Sequence, residues 1–143
     1  MLPSLVLAAA FSTPVAAAPS AWLTVTGDPS NPAVNTIQVD PTPLEAHGNV
    51  RTMLVRVSRS QTRTSWDGVP YRSYESRVLF DCQQMTARYQ RIRYFMAPGW
   101  AGASHRTVDY SQGEPRWMLF RDVAPNPNQR IIHAACNGMI ARK

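Results

Sequence analysis

Apolar and polar positions alternate with a period of two over much of the chain, the signature of strands with one buried face. From Val50 to Arg59, Met53, Val55 and Val57 fall on one side and Thr52, Leu54 and Arg56 on the other. From Tyr74 to Cys82 the alternation sets Tyr74, Ser76, Val78, Phe80 and Cys82 against Glu75, Arg77, Leu79 and Asp81. Ala87 to Met96 sets Ile92, Tyr94 and Met96 against Arg91, Arg93 and Phe95. Trp22 to Thr26, Thr36 to Asp40 and Trp117 to Val123 are shorter β-rich runs. Turn-forming residues separate them. Residues 27–35 are rich in Pro, Asn and Gly; residues 60–73 are polar and hold the turn signature Asp67-Gly68-Val69-Pro70; residues 97–115 hold Pro98, Gly99, Gly102, Gly113 and Pro115 and read as a long loop.

The period changes near the end. Asn126 is a good N-cap residue directly before Pro127 at the first helical position. Ile132, Ala135, Cys136 and Met139 then recur on one helical face, and Gly138 is expected to end or fray the helix. The pattern predicts an α+β domain: an antiparallel β-sheet of about five or six strands with a C-terminal helix packed on one face.

The first residues follow neither period. Leu2 to Ala18 is apolar or small and uncharged, with Leu5 to Phe11 as a short apolar run, Pro14 as a breaker and Val15-Ala16-Ala17-Ala18 as a small-x-small cleavage pattern. A core helix would show polar positions along one side, which this run lacks. The expected organisation is a signal peptide at 1–18, cleaved after Ala17 or Ala18, and a single domain at 19–143. The run is too short to serve as a transmembrane anchor. With no Cys near the cleavage point, the processed product is expected to carry no lipid.

Export changes how the two cysteines are read. In an oxidising compartment Cys82 and Cys136 are expected to pair, which would staple the helix to the end of a strand. The chain of 143 residues has a net charge of +6 and a pI near 10.0, and its only lysine is Lys143. Arginine makes planar, bidentate contacts with carboxylates and phosphates, so an anionic protein or glycan is a fitting partner; basic charge also simply keeps an exported protein soluble. Arg88, Arg91 and Arg93, interleaved with Tyr89 and Tyr94, form one candidate surface, with a solvated sheet face as the plainer alternative. The loop aromatics Trp66, Tyr71 and Trp100 are candidate contact residues, and each could instead fold back onto the core. Nucleic acid is not an expected partner outside the cell. An exposed sheet edge would admit a homodimer.

No catalytic or metal-binding constellation stands out. His47, His105 and His133 are scattered, and only a ribonuclease-like pairing of His105 with His133 has a chemical rationale. There is no Gly-x-Ser-x-Gly elbow, no nucleotide-binding glycine loop and no clustered metal ligand set, so no cofactor is expected.

An ordered set of residues resembles one family. It runs from Trp22 through Val39-Asp40, Gly48-Asn49-Val50-Arg51, Tyr71, Tyr74, Phe80-Asp81-Cys82, Arg88-Tyr89, Trp117 and Pro125-Asn126 to Cys136. This order resembles the surface-adhesin protein E family of proteobacterial envelope proteins. The resemblance implies a small sheet-plus-helix domain and a non-enzymatic role in binding host or envelope protein or glycan. It leaves open surface display or a periplasmic accessory role.

Overall fold

The computed structural model describes residues 22–120, 123 and 125–140. The expected signal peptide and its cleavage site lie outside the described residues. Eight strands form one antiparallel sheet: β1 (Leu23–Thr26), β2 (Thr36–Val39), β3 (Glu45–His47), β4 (Val50–Thr64), β5 (Pro70–Asp81), β6 (Thr86–Phe95), β7 (Arg106–Asp109) and β8 (Arg116–Trp117). Among the described residues one α-helix, α1 (Asn128–Ile140), follows. The sheet order is β1-β2-β4-β5-β6-β7, with β3 also paired to β4 and β8 to β6. The three long strands β4, β5 and β6 form a continuous meander, and short strands share its two outer edges.

This is the α+β architecture the pattern predicts, with more strands. The sequence reading lacks β3 and β7, which are mostly polar and lie among turn residues; each is a strand because β4 or β6 offers it unpaired backbone groups. The polar stretch 60–73 is not a loop. It carries β4 on to Thr64 and starts β5 at Pro70, and its turn is confined to Ser65–Val69, where Ser65 N–H donates to the Val69 carbonyl at 2.8 Å. At the other end, the run expected to be a strand to Val123 is paired only at Arg116–Trp117, and 121 and 122 lie outside the described residues.

The alternation assigns the faces correctly in β4 and β5. Met53, Val55, Val57, Val78 and Phe80 are fully buried on the inner face, with Ile37 and Val39 of β2 beside them. In β6 a bulge at Gln90 shifts the phase: Tyr89 is opposite Val78, while Arg91 is opposite Arg77. The extra residue puts Ala87, Tyr89, Ile92 and Tyr94 on the inner face and aligns Arg88 with Arg91 and Arg93 on the outer one. Met96 lies beyond the strand and is exposed, while Phe95 is buried.

Helix α1 covers part of the inner face through Ile131, Ile132, Ala135 and Cys136, and touches β1, β2 and β5. Its start is the one expected. Asn126 Oδ1 accepts from Asn128 N–H at 2.9 Å, and Pro127 supplies the carbonyl for Ile131 N–H. It does not end at Gly138 but runs to Ile140; a glycine inside a helix costs about 1 kcal/mol against alanine, which a docked helix tolerates. Two links fix the helix to the sheet. Cys82, one residue past β5, is disulfide-bonded to Cys136, with a Cα–Cα distance of 5.6 Å. Arg51, buried on the inner face, donates from Nη1 to the Ala135 carbonyl at 3.0 Å.

Candidate functional site

The inner face changes character along its length. Beneath α1 it is aliphatic and ends in Phe80. Toward the β4–β5 hairpin the inward positions become Tyr71, Tyr74, Tyr89 and Tyr94, with Arg59 and Arg63 continuing the inward series of β4. Here the segment 115–120 takes over from the helix. Between it and the sheet lies a cleft of about 600 Å³, lined by those six residues and by Thr64, Ser65, Trp66, Ile92, Arg116 and Phe120, among others. No residue of α1 and no carboxylate lines it among the described residues.

The floor is a set of tilted and edge-to-face tyrosines. The Tyr71 ring centroid is 5.5 Å from that of Tyr74 and 5.3 Å from that of Tyr94. Offset contacts of this kind suit the ring quadrupole. Their hydroxyls are tied into the structure: Tyr74 and Tyr89 share a hydrogen bond of 2.8 Å, and Arg59 Nε donates to the Tyr71 hydroxyl at 3.3 Å. Burial raises the Tyr74 and Tyr89 hydroxyls well above the ordinary tyrosine value and raises Tyr94 as well. Tyr74, Tyr89 and Tyr94 therefore keep neutral hydroxyls near neutral pH.

The rim joins the hairpin tip to the last strand. Trp66, 68% exposed, stands at the tip, and the Arg116 guanidinium stacks over its ring 4.4 Å from the centroid. Arg116 also lies 5.9 Å from the Tyr110 ring, and the Tyr110 hydroxyl donates to the Asp67 carboxylate. A stacked guanidinium keeps its edge for in-plane, bidentate hydrogen bonds. Chemically the cleft offers guanidinium, hydroxyl and aromatic groups, which bind anions and rings.

The sequence-predicted residues separate into three sets. Trp66 and Tyr71 both belong to the cleft, but Tyr71, only 5% exposed, is a buried strand residue and not the surface loop contact expected of it. Trp100 takes the fold-back alternative. It turns back over the outer sheet face, donating from Nε1 to the Tyr74 and Val57 carbonyls at 2.9 and 3.2 Å. With Trp22 it holds the Arg56 guanidinium between two indoles, at 3.9 and 4.1 Å from the ring centroids, and burial lowers the Arg56 pKa. Trp100 has φ +60, a strained value for a bulky residue that these contacts hold in place.

Arg88, Arg91 and Arg93 are exposed on the outer face, away from the cleft and from the tyrosines they alternate with. Arg93 pairs with Glu75 at 2.6 Å, and neighbouring Arg77 with Glu45 at 3.2 Å. That face is a mixed-charge, solvated surface. Arg63 is hidden by the polar, turn-like composition of 60–73, and Arg59 is the last residue of the run read as a strand. Continuing the alternation past Val57 would have placed Arg59 inward.

The histidines do not converge. His105 precedes β7 at one sheet edge, His133 is on the exposed side of α1, which touches the strands of the opposite edge, and His47 is in β3. Among the described residues no three His, Cys, Asp or Glu side chains come together as a metal site, and no helix is long and apolar enough to cross a membrane.

No curated protein and no solved structure matches this chain. The family model described as surface-adhesin protein E matches residues 22–137, a span running from the Trp22 that covers Arg56 to the helix held by Cys136. The chain belongs to the surface-adhesin protein E family, and with it to the adhesin-like exported proteins of the cell envelope.

Proposed function

We propose that this protein is a non-enzymatic binding domain of the envelope that holds an anionic protein or glycan partner in the cleft between the β4–β5 hairpin and residues 115–120. The observation that carries the reading is the composition of that cleft: Arg59, Arg63 and Arg116 beside four tyrosines and Trp66, in a volume typical of ligand sites. Arginine and aromatic residues are the side chains that dominate binding hot spots. The outer arginines contribute to the general positive field and to encounter rates.

The test is the binding of the processed, oxidised protein to immobilised acidic and neutral polymers at several salt concentrations. Selective capture by acidic polymers, weakened by Trp66→Ala and Arg116→Gln and unaffected by Arg91→Gln, is the expected result. Equal loss from the Arg91 variant would mean that net charge, not the cleft, does the binding. Protease accessibility on intact cells, against a periplasmic marker, separates surface display from a periplasmic role.

A further inference from the structure

The cleft is more specific than a basic surface. Its charged groups and its ring-binding groups are different residues, and they occupy different places. At the rim, the Arg116 guanidinium carbon lies over the Trp66 ring, 4.4 Å from its centroid, so the indole restricts where the guanidinium sits. Such a fork fits a carboxylate in its own plane with two parallel hydrogen bonds. The walls carry the hydroxyls of Thr64 and Ser65, and the floor carries the ring surface of Tyr71, Tyr74, Tyr89 and Tyr94, whose hydroxyls bond within the protein. That combination matches a ligand that itself carries hydroxyls along its edge and C–H groups on its faces, since polarised C–H groups are attracted to the negative face of an aromatic ring.

A flexible acidic peptide side chain would use the guanidinium and leave a cleft of about 600 Å³ largely unfilled. A purely aromatic acid would fill the ring-lined part and leave the wall hydroxyls of Thr64 and Ser65 without matching groups. A sugar ring bearing a carboxylate satisfies both parts at once. The volume leaves room for a short oligosaccharide.

Resting on the assignment of the cleft as the binding site, we propose that its ligand is a uronate-containing acidic oligosaccharide, with Arg116 holding the sugar carboxylate and Trp66 and the tyrosines contacting the rings. Rings and hydroxyls set the specificity, and the arginine sets the charge requirement.

The experiment titrates the processed, oxidised protein with a uronate hexasaccharide, following tryptophan emission and, independently, heat. Its carboxyl-reduced counterpart and a poly-glutamate peptide are titrated in parallel. The expected result is saturable binding of the uronate ligand, weakened about tenfold to a hundredfold by carboxyl reduction, the worth of losing charge-assisted hydrogen bonds. Arg116→Gln should reproduce that loss, Arg116→Lys should recover only part of it, and Arg91→Gln should change nothing. Circular dichroism confirms that the variants are folded. Equal binding of the uronate and carboxyl-reduced ligands overturns the proposal. Binding of poly-glutamate alone, sensitive to Arg116→Gln, overturns the sugar assignment while keeping the cleft as an anion site. If none of the three binds, both the sugar and the cleft assignments fall.

Discussion

The bond between Cys82 and Cys136 joins the end of β5 to α1 across a sequence separation of 54 residues. Replacing both cysteines by alanine removes the cross-link without leaving a reactive thiol. Freeing a loop of that length restores about 4 kcal/mol of conformational freedom to the denatured chain in the chain-entropy model. The helix keeps its other ties in the native state: Ile131, Ile132 and Ala135 remain buried, and Arg51 still donates to the Ala135 carbonyl. The variant should therefore fold but be much less stable. With a urea m-value of about 2 kcal/mol/M, typical for a small domain, the midpoint should fall by roughly 2 M. Amide exchange gives a second readout, because α1 should lose protection before the β4–β5 pairing does. A midpoint shift below about 0.5 M with an unchanged m-value would refute the reasoning. So would alkylation of two thiols in the unreduced exported protein, since the bond would then not form at all.

Other features give separate tests. Arg56→Ala removes a guanidinium stacked between Trp22 and Trp100, and should destabilise the fold by about 1–3 kcal/mol and change the tryptophan emission; an unchanged spectrum would mean the stack is absent. Asn126→Ala removes the acceptor for Asn128 N–H and the donor to the Phe120 carbonyl, and should cost about 1–2 kcal/mol by denaturant unfolding, with Asn126→Asp restoring the cap but not the donor. Gly27→Ala should be severely destabilising, because Gly27 has φ +87 and an added Cβ would lie 2.2 Å from the Asn35 carbonyl oxygen; a normal thermal midpoint would contradict that geometry. The tyrosines predict an alkaline limit. The pKa values of Tyr74, Tyr89 and Tyr94 are raised in the folded state, so their contribution is complete below the unfolded value near 10 and is lost as pH rises above it. Urea midpoints should be level up to about pH 9.5 and fall beyond it, and phenolate absorbance should appear together with unfolding.

Part of the cleft was legible and part was not. Trp66 was identified as an exposed aromatic, and it is one. Tyr71 reads as a loop residue because 60–73 is mostly polar around the turn signature Asp67-Gly68-Val69-Pro70, yet that stretch is a paired hairpin whose inner side faces the cleft. Arg51 and Arg59 are charged residues at inward positions of β4, each only 6% exposed. An arginine enters an inner face when acceptors are waiting there, and the Ala135 carbonyl and the Tyr71 hydroxyl come from segments distant in the sequence. Conversely, Arg88, Arg91 and Arg93 read either as a ligand surface or, more plainly, as a solvated sheet face. Its carboxylate neighbours on adjacent strands are visible only once the strands are in register.

The sequence by itself determined the faces of β4 and β5, the start of α1 at Asn126-Pro127, the sheet-plus-helix class and the pairing partners Cys82 and Cys136. These follow from short-range rules: side-chain alternation along a strand, capping within one helical turn, and the presence of only two thiols. The tertiary structure decided what depends on distant partners. It made strands of β3 and β7 by offering them an edge, moved the phase of β6 at Gln90, and drew Trp22 and Trp100 together over Arg56. It also left the tyrosine end of the inner face uncovered by α1. The cleft exists because the helix, held by Cys136 and Arg51 at the aliphatic end, leaves the tyrosine end to residues 115–120, and no local pattern in the sequence encodes where that boundary falls.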